Sequence, residues 1–145
     1  MPTHVAVAHL AAMVAPVAGG LGLAYPLVRS WRSRLVVPLL VLSAVALALV
    51  IVAGEQGGEL LDQIEAGASP REVDAATAHG RSADVVALFS FSLVATAGVA
   101  AVAARRRWSV RAADIVGALV GLSGLGVVIG AWIAVATALD AVWGG

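Results

Sequence analysis

The sequence predicts an all-α membrane protein of four transmembrane helices, and three observations predict it. Apolar residues make up 61% of the chain and charged residues 12%, with a mean hydropathy of +0.97. Soluble domains are nearer half apolar and a quarter charged, and a chain of 145 residues has too little interior to hide the excess from water. Four stretches, at about 5–28, 35–54, 85–104 and 115–139, contain no Asp, Glu, Lys or Arg. Each reaches the ~20 residues that cross a ~30 Å hydrocarbon layer. Continuous apolarity without two-residue alternation excludes a β-barrel, so the spanning segments must be helices.

The first span opens on "PTHVAVAH" and contains Pro16, Pro26 and the small-residue stretch Gly19, Gly20 and Gly22. It is no secretory signal: it has no basic leader and its apolar run is too long, so it is expected in the mature protein. A short loop, "RSWRSR", leads into the second span, which carries Pro38 near its start. Prolines are tolerated there when a neighbouring helix re-satisfies the freed carbonyl. Glu55 is expected to close the second helix. Beyond it, "GGELLDQIEAG" sets Leu60, Leu61 and Ile64 at helical spacing among acids, as a short amphipathic helix on the membrane surface would. "SPRE" then reads as a capping box, with Ser69 as N-cap, Pro70 at the first helical position and Glu72 reaching back. The third helix should begin there, with His79 on its outer extension and Gly80 able to interrupt it.

A second loop, "RRRWSVR", joins the third and fourth spans. The fourth is glycine-rich, with Gly117 and Gly121 as one small-xxx-small pair and Gly126 and Gly130 as another. Such ridges allow helix backbones to approach. They would serve packing within the bundle, with "GGLG" of the first span as partner, or else a homo-oligomer seam. Short connections make sequential helices antiparallel, so the single domain 1–145 is an up-down-up-down bundle.

All nine basic residues are arginine, and seven lie in the two short loops. The positive-inside rule puts those loops in the cytoplasm and both termini outside. Trp31, Trp108 and Trp143 fit the interfacial aromatic belts. With no cysteine, thiolate metal sites and Cys-ligated clusters are excluded. Nucleic-acid binding has no basis once topology accounts for the arginines, and neither a hydrolase motif nor a charged transport path is present.

On this orientation His4, His9 and His79 fall on the outer side, with Glu55 and Asp140 at the outer helix ends. Ionisable groups in the membrane mark functional sites by default. Residues five apart on a helix are turned about 140° and ~7.5 Å from each other, so His4 and His9 cannot clasp one ion. A ligand taking one imidazole from each of two helices fits better, and haem b is such a ligand. On this reading His9 and His79 are the axial pair. His4 or Arg81 would lie beside the propionates, and Glu55 would accept an imidazole N–H. A divalent zinc or copper ion held by His9, His79 and Glu55, with Asp140, is the competing arrangement. The bland alternative has the histidines solvated or bonded to helix carbonyls, with no cofactor.

"PTHVAVAH", the "AGE" that contains Gly54 and Glu55, and the "AHG" of His79 and Gly80 resemble a bacterial four-helix membrane family. That family carries only a domain-of-unknown-function label, and its members occur alone or fused to Rieske-type iron–sulfur domains. The pattern departs at Val5, where that family has proline, and at Leu10 and Ala11, where it has Phe-Pro. The resemblance spans the whole chain and implies electron transfer near a quinone pool, in a bacterial cytoplasmic membrane. Two further readings remain: an accessory or scaffold subunit of a larger, respiratory-type membrane complex, and an outward-facing divalent-metal-binding protein.

Overall fold

The computed structural model describes the backbone of residues 3–64 and 67–143, and the side chains of 5–63 and 67–140. Four long helices make up almost all of it: α1 (Thr3–Leu27), α2 (Arg32–Ile64), α3 (Pro70–Arg105) and α4 (Val110–Trp143). A single 3₁₀ turn, Arg29–Trp31, links α1 to α2. All four helices are long and apolar enough to cross a membrane.

The helices form a ring in which α1 and α3 each pack against both α2 and α4. Neighbours meet end to start. Pro26 of α1 lies against Gly117 and Gly121 of α4, Val86 of α3 against Gly130, and Val50 and Gly54 of α2 face Ala83 and Ala87 of α3. Both arginine turns therefore gather at one end of the bundle, and the α2–α3 connection lies at the other.

Size is sorted inside out. The buried positions are mainly small, among them Ala15, Ala18, Ala46, Ala97 and Ala100. Leu39, Leu93, Val120 and Val127 seal the axis, while Met13, Leu27, Leu88, Leu122 and Trp132 project outward. In lipid this costs nothing, because acyl chains solvate a leucine as well as a protein core does. Tight backbone packing then supplies the cohesion.

The glycines show how. A Cβ at Gly124 would lie 2.6 Å from the carbonyl oxygen of Gly19 and 3.0 Å from Cα of Gly22, so only glycine permits this crossing of α1 and α4. At Gly126 the ring of Phe89 fills the side-chain space. Gly124 and Gly126 are turned about 200° apart, and α4 thereby shows one small-residue face to α1 and another to α3. Gly117, Gly121, Gly126 and Gly130 thus pack against Arg32, Pro26, Phe89 and Val86 within the bundle, the first of the two roles the sequence offered them. Gly19 and Gly22 are the expected partners, whereas Gly20 faces open space.

The capping box forms as the sequence predicts. The Ser69 backbone N–H and hydroxyl both donate to Glu72 Oε2 at 2.7 Å, the Glu72 N–H returns to Ser69 Oγ at 3.4 Å, and Pro70 occupies the first turn. The separate amphipathic surface helix does not form. α2 runs unbroken through Glu55 to Ile64, so Glu55 lies well inside that helix. Three glycines at about 1 kcal/mol each weaken it but remove no hydrogen bond, and no proline intervenes. Gly80 likewise leaves α3 continuous.

Candidate functional site

At the outer end expected from the sequence, His9 and His79 have different partners. His9 is exposed, and its Nδ1 lies 2.7 Å from the Val5 carbonyl of its own helix. It lies nine positions before buried Ala18, half a turn around α1, so the ring points away from the bundle axis. His79 lies in the α3–α4 seam, with Nδ1 3.4 Å from the Thr137 hydroxyl. That hydroxyl also meets Ser82 Oγ at 3.1 Å, and Ser82 donates to the His79 carbonyl at 2.6 Å. The structure therefore brings His79 together with Ser82 and Thr137. His4 belongs to α1 by its backbone, but its side chain lies outside the described residues.

Glu55 and Asp84 line a cleft of about 230 Å³ between α2 and α3, apart from either imidazole's partners. Arg81 and Asp140 are exposed on α3 and α4. Among the described residues, no three His, Asp or Glu side chains converge as a metal site requires.

The chain matches no family model, no curated protein and no solved structure.

The most elaborate polar constellation lies at the opposite end and involves residues that sequence reasoning passed over. Arg32 opens α2, and each of its three guanidinium nitrogens donates a hydrogen bond. Nε donates to the Tyr25 carbonyl at 3.2 Å, Nη1 to Asp114 Oδ1 at 2.8 Å, and Nη2 to the Pro26 carbonyl at 3.4 Å. The last carbonyls of α1 lack intrahelical partners, and an arginine from the next helix satisfies two of them. The same guanidinium stands 5.7 Å from the centroid of the Tyr25 ring. Gly117 makes this possible, since a Cβ there would sit 3.1 Å from Nη2.

Arg29 takes the other carboxylate oxygen of Asp114, also at 2.8 Å. The two arginines differ in burial: the Arg29 side chain is 69% exposed and that of Arg32 16%. Solvent screens the first pair and far less the second. Asp114 was detectable, because it is the sole acid among the seven arginines of the two loops. Its partner was not, since six other arginines had equal claims on paper.

Behind this fork a cleft of about 330 Å³ opens between the two arginine turns, lined by Tyr25, Arg29, Arg32, Arg107 and Trp108. Arg107 has a left-handed backbone, φ 51°. It follows the end of α3 in the position that glycine ordinarily takes, and the Trp108 N–H closes the turn on the Ala103 carbonyl at 3.1 Å.

Proposed function

We propose that this chain is a small integral membrane protein acting as a rigid, non-catalytic accessory subunit of a larger membrane complex. The observation that carries the reading is the sealed interior. α1 and α4 touch through the backbones of Gly19, Gly22 and Gly124, and Leu39, Leu93, Val120 and Val127 close the axis, so the bundle presents an outer surface rather than an internal chamber. In this reading the arginine turns lie in the cytoplasm, both termini lie outside, and the membrane is a bacterial cytoplasmic one.

Two measurements test it. Extraction in a gentle detergent should yield the chain within a larger assembly, and a stable free monomer overturns the accessory role. Because the chain has no cysteine, single replacements Ser33→Cys and Ala68→Cys report topology without background. A membrane-impermeant thiol reagent applied to cells should label position 68 and spare position 33.

A second reading has one observation in its favour. With Nδ1 against the Val5 carbonyl, His9 offers Nε2 outward, as a metal-ligating imidazole does. Under this reading His9 is an axial ligand of haem b at the outer face, the other ligand comes from a partner or a rearranged His79, and the haem supplies electron transfer. Haem-supplemented protein with no Soret band ends that reading.

A further inference from the structure

We infer that the cleft between the two arginine turns binds the phosphodiester headgroup of an acidic phospholipid. Three guanidinium groups line or border it, and one carboxylate, Asp114, answers them. Arg32 is held by three bonds and mostly covered. Arg29 gives one nitrogen to Asp114 and stays largely exposed, and Arg107 has no ion-pair partner among the described residues. Two guanidiniums, one from each turn, thus face the same space with donors to spare. Guanidinium forks match phosphate oxygens in shape and charge.

Two features separate a lipid from free phosphate. One side of the cleft is an apolar wall of small residues, Ala100, Ala103 and Ala104 of α3 with Val116 of α4, which leaves room for an acyl chain beneath the headgroup. Trp108, on the rim, is the side chain suited to the boundary between headgroups and acyl chains. The backbone of Arg107 supports the assignment independently. A large charged residue stands where the left-handed conformation favours glycine, and strain of this kind clusters at functional positions.

The experiment is native mass spectrometry of the full chain in mild detergent, with phosphatidylglycerol and phosphatidylcholine offered in equal amounts. The wild type should retain phosphatidylglycerol preferentially. The double variant Arg29→Gln/Arg107→Gln should weaken retention roughly 30-fold, at the ~5-fold that each membrane-proximal basic residue contributes. The control Arg34→Gln/Arg111→Gln removes the same charge outside the cleft and should keep the preference. Arg107→Gly, which suits the backbone better, guards against misfolding and should lose affinity while melting higher. Equal loss in both double variants, no preference between the lipids, or capture of inorganic phosphate in place of lipid each overturns the proposal.

Discussion

Arg32 and Asp114 lie 82 positions apart in the chain, yet their side chains meet at 2.8 Å near the starts of α2 and α4. Because the same guanidinium holds the end of α1, one side chain ties three helices together. Replacing Asp114 with Asn strands a mostly covered charge. A hydrogen bond to a charged group is worth about 1.5–3 kcal/mol, and a loss of that order should appear as a lower midpoint in thermal unfolding in detergent. Arg29→Gln should cost less than about 1 kcal/mol, as its pair is open to solvent. In a double-mutant cycle the coupling of Arg32 to Asp114 should exceed that of Arg29 to Asp114, and equal couplings would contradict this division.

The glycines make opposite predictions at neighbouring sites. Gly124→Ala pushes a methyl into the backbone of α1, which has no flexible end to move, and should destabilise by about 1–3 kcal/mol. Gly20→Ala meets nothing within 4 Å and should stabilise by about 0.5–1 kcal/mol through helix propensity. A thermal series on the two variants checks the signs. Like signs would mean that α1 and α4 do not cross at these residues.

Ser69→Ala removes the cap of α3 and should cost about 1 kcal/mol, felt locally. Hydrogen exchange should quicken at the amides of residues 71–73, while those deep in α3 near Leu93 stay protected. Unchanged exchange at the helix start would show that Pro70 alone sets it.

Arg107→Gly should raise stability by about 1 kcal/mol, since a left-handed residue with a side chain costs roughly 1–2 kcal/mol there. Arg107→Val should lower it, β-branched residues being the least suited to that conformation. Calorimetry of the two variants separates backbone strain from the loss of charge, which both share.

The helices and their starts were readable from the chain because they answer to local conditions. Freedom from charge over ~20 residues identifies a span, and Ser69, Pro70 and Glu72 meet within one turn. The end of α2 was not readable: Glu55 is expected to close it, but the helix carries on to Ile64. Placing the histidines on one side said nothing of their rotation, which sets His9 against the Val5 carbonyl and His79 against Thr137.

By itself the sequence determined that lipid is the solvent, that four helices cross it, and that arginine gathers at one end of them. Only the tertiary structure decided that Gly124 meets Gly19, that Phe89 fills the gap at Gly126, and that Arg32 rather than another arginine takes the covered oxygen of Asp114. The physical reason is range. Solvent preference and helix capping are settled within a few turns of chain. Which faces touch depends on how whole helices are turned against one another.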